Sequence, residues 1–311
     1  MTKALVLGEI CIDVILNNPA SVPVLGKNVW AESIQMRLGG SATYVSQGLQ
    51  VLGIPTTVNS VVGEDPLIEV YLNQLQYLGI DISHVHRQPS AATSVCIGVV
   101  DKEKKSFIGC SPFLKYPDHL LEINPEEFDL VYFGGYLLYP EIWDGKLSNL
   151  LQKVRPDAHT ILDTQMLPIP VDLYRDRAIT KSLLEQVEVL LVDRKEAIAL
   201  TKRQNPEEAA RILADYGPKI ITVKLGGQGC LVLTQGEILK SKSLKVDARD
   251  LIGAGDFFGA AFSYGVLMGW PLQKTADFAN GFAALCAARK ESNALPELSL
   301  VLKHIFPSAI G

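Results

Sequence analysis

The 311-residue chain lacks the devices that mark several large enzyme classes. No GxxxxGK[ST] occurs, which excludes a P-loop nucleotide site. The first apolar run ends in "GEICID" rather than GxGxxG, which argues against a nicotinamide dehydrogenase. Without GxSxG there is no nucleophile elbow, and without HExxH no zinc-protease helix. The five histidines show no ligand spacing, and Cys11, Cys96, Cys110, Cys230 and Cys286 form no CxxC pair. Core thiols in a reducing compartment are the better reading than a zinc site or disulfides. Basic runs are missing and the net charge is -5, so nucleic acid is not an expected partner. Long hydrophobic runs are missing too. Ala254 to Trp270, the most apolar helix candidate, carries Asp256 near its start and is too short to span a bilayer. Glu9 and Asp13 break the amino-terminal run, which reads as a strand rather than a signal peptide. A cytoplasmic protein without a membrane partner is expected.

What is present is an ordinary globular composition, 48% hydrophobic and 20% charged. Short β-branched runs ("KALVLG", "TTVNSVVG", "DLVYFGG", "HTILD", "VEVLLV", "KIITVKLG") alternate with helical stretches at Ser41 to Leu52, Pro66 to Leu78, Glu141 to Val154, Thr180 to Gln186 and Pro206 to Tyr216. Nearly continuous apolar strands between helices predict an α/β fold, a mostly parallel sheet with helices on both faces. Two segments break the alternation, about 14–38 and 92–112. Each reads as two strands joined by a polar turn, "VVDKEKKSF" being a hairpin with a charged tip. Together they predict a small β lid on a single domain covering 1–311.

Ligands in such sheets bind beyond the carboxyl ends of the strands. Asp13 follows the first strand, where a turn acid is the plain alternative to a ligand-binding one. Gly39 and Gly40 precede a helix, where a strand-to-helix turn is the plain alternative. "VKLGGQGCLVL" alone is a hairpin. In "DLIGAGDFF", Asp256 follows Gly253, Ala254 and Gly255 at the mouth of an apolar helix. It is either an N-terminal capping acid or a base beside an anion-binding helix start, and this stretch alone does not decide.

The order and spacing of four stretches resemble the PfkB family, the ribokinase-like carbohydrate and nucleoside kinases. They are "GGSATYVSQGLQVLG", "SVVGEDPLIEVYLNQLQYLGID", "VKLGGQG" and "DLIGAGDFFGAAF", and the likeness runs from "LGEICID" to "ARKESNALP". The resemblance implies a ribokinase-like fold and ATP- and Mg2+-dependent phosphoryl transfer to a hydroxyl of a small sugar, cyclic polyol or nucleoside. It implies Asp256 as catalytic base, the amides of Gly253, Ala254 and Gly255 as anion hole, and Asp13, Gly39 and Gly40 at the acceptor. Lys224, Gly226, Gly229 and Asn280 fall on the nucleotide side. Glu196 falls where an acid organises magnesium, through water, and Asp250 where an acid helps bind a monovalent cation.

Several positions depart from the pattern. Asp193 stands for Asn and Leu251 for Thr, while Glu291 and Ser292 replace Gly-Ala, which speaks against cation activation. "DTQML" lacks the Arg of Asp-x-Asn-x-Arg, which argues against a fructokinase or ketodeoxygluconate kinase. Tyr44 stands for an Asn that touches the sugar. Its ring suits stacking on a cyclic polyol or a nucleobase, the alternative being a core position between helix and lid. Asp256 is expected to need no large pKa rise. A homodimer through the lid would cover its edge strands. A non-catalytic ribokinase-like binding protein is the alternative function.

Overall fold

The computed structural model describes residues 2–21, 24–89, 91–101, 104–111, 117–143, 145–165, 177–289 and 294–306. Strands are numbered along the chain. The main sheet runs β13 (Glu237–Ser241), β12 (Cys230–Thr234), β11 (Ile220–Lys224), β10 (Val189–Asp193), β9 (His159–Asp163), β8 (Leu130–Gly134), β1 (Ala4–Leu7), β4 (Thr56–Gly63), β5 (Asp81–Gln88). All neighbours are parallel except β11–β12 and β12–β13.

Alternate side chains of each strand enter different cores. Ala4, Val6, Leu130 and Tyr132 pack on one face; Leu5, Leu7, Val131 and Phe133 pack on the other. The first face is covered by helices α1 (Ser41–Val51), α2 (Pro66–Tyr77), α7 (Ala254–Leu267), α8 (Leu272–Ala287) and α9 (Leu298–Ile305). The second takes α3 (Lys146–Leu151), α4 (Lys181–Leu184), α5 (Arg194–Thr201) and α6 (Pro206–Ala214). Burial on both faces explains why these strands are apolar throughout, each fully buried aliphatic contributing about 1.5–3 kcal/mol. The helix expected from Glu141 starts at Lys146, because Pro140–Ile142 forms a separate 3-10 turn first. No helix among the described residues is long and apolar enough to cross a membrane.

Four strands stand apart as a small β lid, in the order β3 (Ala31–Gly39), β2 (Cys11–Pro19), β6 (Val95–Asp101), β7 (Lys104–Cys110). The register sets Asp13 opposite Arg37 on one side and Cys96 on the other. Residues 102, 103 and 112 of the second lid segment lie outside the described residues. Because side chains alternate, Ile34, Met36 and Ile108 share the face opposite Asp13, and all three are largely exposed.

Candidate active site

The start of α7 is built by Gly253, whose φ of 76° places it in the left-handed region as the N-cap. A Cβ there would also lie 2.8 Å from the Tyr44 ring, so both the turn and the close approach need glycine. By position, the first-turn N–H groups of Ala254, Gly255 and Asp256 have no helical acceptor. Asp256 stands among them, partly buried, its Oδ1 accepting the Gln165 side-chain amide. Burial pushes the Asp256 carboxyl up to about 7 and neighbouring Asp163 adds to this, against the pull of Lys224 and Gln165. The expectation of no large rise is therefore corrected: the helix dipole is outweighed by lost solvation and a second carboxylate. Gln165 itself has a φ of 40°, unusual for a residue with a side chain.

Below the helix start, Lys224 at the end of β11 donates to both oxygens of Asp163, at 2.9 and 2.8 Å. Asp163 ends β9, is 0% exposed, and also accepts the Tyr132 hydroxyl at 2.9 Å. A buried ammonium without that partner would carry a large desolvation cost, so the pair is held as a unit. Glu196 lies close enough for its charge to act on Lys224. Its carboxylate, however, closes a capping box with Asp193: Glu196 Oε2 accepts the Asp193 N–H at 2.7 Å and the Thr164 hydroxyl at 2.7 Å. Burial pushes its carboxyl upward. Among the described residues no three acidic, histidine or cysteine side chains converge as a metal cluster.

A cavity of about 530 Å³ opens on one side of α7. Lys224, Gly226, Gly229, Gly255 and Asn280 line it, together with Leu251 and the 243–248 segment. At Gly226 and Gly227 an added Cβ would meet nothing within 4 Å, and at Gly255 only the Lys224 ammonium. Bare backbone thus faces open space around a basic side chain, an arrangement that fits a polyphosphate. Asn280 contributes its position more than its amide, which donates to the Ser241 hydroxyl at 2.7 Å.

The residues that the resemblance places at the acceptor, Asp13, Gly39 and Gly40, lie together with Tyr44. Asp13 lies within β2 rather than in a turn after β1. Its carboxylate accepts the Tyr44 hydroxyl and the Cys11 thiol, and a Cβ on Gly39 would fall 2.2 Å from its Cγ. Gly39 is therefore required by Asp13. Gly40 is the N-cap of α1 and packs on the Glu9 carbonyl. Tyr44 corrects the expectation of a stacking ring. It is 5% exposed, lies under Gly253 and packs edge-on against Phe257 at 5.5 Å, leaving its hydroxyl to hold Asp13. Glu9, read in sequence only as a break in the first apolar run, is partly exposed, and the Ser94 and Ser111 hydroxyls lie near enough to act on its carboxylate. Burial pushes Glu9 and Asp13 up, and their charges act on each other.

The Asp250 carboxylate is engaged by two guanidiniums. Arg37 reaches it at 2.5 and 3.1 Å and Arg289 at 2.8 Å. Burial pushes Asp250 up, but the two guanidiniums hold it below the usual carboxylate range. Glu291 and Ser292, and Met166 and Leu167 of "DTQML", lie outside the described residues. The structure brings together Asp256, Lys224, Glu196 and the α7 start, with Asp13 near enough for its charge to act on Asp256. Asp163 and Gln165 were read in sequence only for the arginine they lack nearby. Their place at the carboxyl end of a parallel strand was the available signal.

Residues 1–298 match the model of the pfkB family carbohydrate kinases. A 5-dehydro-2-deoxygluconokinase of Geobacillus kaustophilus is 26% identical over 318 residues, covering 96% of this chain and 92% of that enzyme. An ATP-dependent 6-phosphofructokinase of Thermoanaerobacterium thermosaccharolyticum is 25% identical over 286 residues, covering 90% and 85%. A solved structure of a putative ribokinase II from E. coli, in complex with ATP and Mg2+, superposes with a TM-score of 0.82 at 21% identity over 98% of this chain and 99% of that one.

Proposed function

This chain belongs to the pfkB family of carbohydrate kinases, phosphotransferases with an alcohol group as acceptor, and we propose that it moves the γ-phosphoryl group of ATP with Asp256 as base. One observation carries the reading. The Asp256 carboxylate sits among the first-turn amides of α7, with the glycine-lined cavity on one side and Asp13 on the other.

In this reading the cavity holds ATP with its phosphates toward Gly226, Gly255 and the Lys224 ammonium. The related E. coli structure, which holds ATP and Mg2+, supports that choice of ligands. Magnesium would neutralise charge on the phosphates, carried mainly by them and met through water by Glu196. Asp13 and Glu9 accept hydrogen bonds from hydroxyls of the acceptor and turn one further hydroxyl toward Asp256. Asp256 takes that proton as the oxygen attacks, and a carboxyl titrating near neutral pH suits the task. The amides of Gly253, Ala254 and Gly255 meet the charge gathering on the transferred group at little reorganisation cost. The β lid, closing over the acceptor, excludes water.

Glu9 and Asp13 would repel a carboxylate or phosphate on the acceptor, so an uncharged polyhydroxyl compound is the proposed class. The exposed Ile34, Met36 and Ile108 face of the lid supports a homodimer through it, and the site's small ligands are in keeping with a cytoplasmic enzyme. The test is ADP release across a panel of neutral sugars, cyclic polyols and nucleosides beside aldonates and sugar phosphates. Turnover with a neutral acceptor is expected. ATP binding without turnover on any member would favour a binding protein instead.

A further inference from the structure

Asp250 lies just ahead of the α7 start, and its carboxylate joins three parts of the chain. Arg37 comes from β3 of the lid, 213 positions away, and Arg289 from beyond the end of α8. The same carboxylate accepts the Ile252 N–H at 3.1 Å, fixing the turn that leads into Gly253. The Ala287 carbonyl accepts the N–H groups of Arg249 and Asp250, at 2.7 and 2.9 Å. Arg289 also donates to the Cys286 carbonyl at 2.6 Å, and its guanidinium lies 5.1 Å from the centre of the Phe257 ring, next to Asp256.

Packing alone does not account for this cluster. Arg37 and Arg289 are 6% and 7% exposed, and the Nε of each has no hydrogen-bond partner. One arginine would neutralise Asp250. The second adds a buried like charge, and apolar side chains of similar volume commonly stabilise such a site as well or better. Asp13, opposite Arg37 in the lid register, also acts on that guanidinium, so what the second arginine adds is a second tie holding the Asp250 turn between the lid and the end of α8.

We infer that Arg37 and Arg289 are positioning residues for phosphoryl transfer. They lock the 250–253 turn through Asp250, one from the lid and one from the end of α8, so that the anion hole is complete only when the lid strand is seated. The inference rests on the proposed transfer at Asp256.

The experiment measures kcat and ATP KM for Arg289→Ala with and without millimolar guanidinium chloride, tetramethylammonium chloride serving as the ionic-strength control. Expected is a kcat loss of about 10–100-fold with ATP KM within about threefold, short of the loss of a direct oxyanion donor. Guanidinium should restore at least about fivefold of that loss and leave the wild type unchanged, because the cation refills a formed cavity. A folded variant that keeps its rate, or loses rate that guanidinium does not restore, overturns the inference. Should Arg289→Ala not fold, Arg37→Met and Arg37→Lys decide in its place. The first should lose rate similarly, and the second, which keeps the charge, should recover most of it; equal loss in both overturns the idea. Wild-type protein without kinase activity would instead defeat the reading on which this rests.

Discussion

The two sides of the α7 start are built from different materials. The side proposed for the nucleotide is mostly backbone: Gly226, Gly227 and Gly255 leave open space, with Lys224 and Lys245 also lining the cavity. The side proposed for the acceptor is mostly side chains, with Asp13 held by Tyr44 and Cys11, and Glu9 within reach of Ser94 and Ser111. A polyphosphate can be bound by amides that any residue supplies, whereas a particular arrangement of hydroxyls needs particular carboxylates. Glycine spacing therefore announces the first side in sequence. The second is announced only by the spaces left for it, such as the one Gly39 keeps beside Asp13.

Removing the group shared by both sides should have the largest effect. Asp256→Asn is expected to lower kcat about 10²- to 10⁴-fold, the range for losing a general base, with ATP affinity kept. It should also stabilise the fold above neutral pH. The folded protein holds the Asp256 proton more tightly than the unfolded chain does, so stability is lost as pH rises from the ordinary carboxylate range to about 7. Removing that ionisation should add on the order of 1–4 kcal/mol at pH 8, read by thermal melts. Next comes Gly253→Ala, which forces a side chain into the left-handed region and against the Tyr44 ring. A fall in kcat of about 10–100-fold and a stability loss of about 1–3 kcal/mol are expected. Turnover and melting near wild type would break the claim that this turn is built to one geometry.

Tyr44→Phe separates the two sides more finely. Asp13 loses a hydrogen bond while the ring stays, so acceptor KM should rise about 3- to 10-fold and ATP KM should not move. A matching rise in ATP KM would erase the distinction. The smallest effect belongs to potassium, because Asp250 already carries two guanidiniums. Replacing potassium with a large organic cation at matched ionic strength should change the rate by less than about twofold. A tenfold stimulation would place a cation where Arg37 and Arg289 now lie.

Much of this was legible in the chain, and the exceptions have physical causes. The parallel strands are buried on both faces and read as unbroken apolar runs; "VKLGGQGCLVL" read as the hairpin that β11 and β12 form. Strand β5, "DISHVHRQ", gave no such signal, because it is an edge strand with exposed polar residues. Asp193 and Glu196 drew attention as a magnesium motif, yet the same spacing is a capping box, and the structure shows them so engaged. Tyr44 was misread because spacing along a helix tells which face a ring occupies, not what already covers that face. The Arg37–Asp250–Arg289 cluster left no trace in sequence, since it is assembled only by the seating of the lid.

The pH dependence of kcat/KM with a good neutral acceptor tests the assignment of Asp256 most directly. With burial and Asp163 holding the carboxyl at about 7, the rate should climb tenfold per pH unit below that value, level off above it, and lose this limb in Asp256→Asn. A profile flat from about pH 5.5 to 8.5, or a limb that persists unchanged in the variant, would contradict the account.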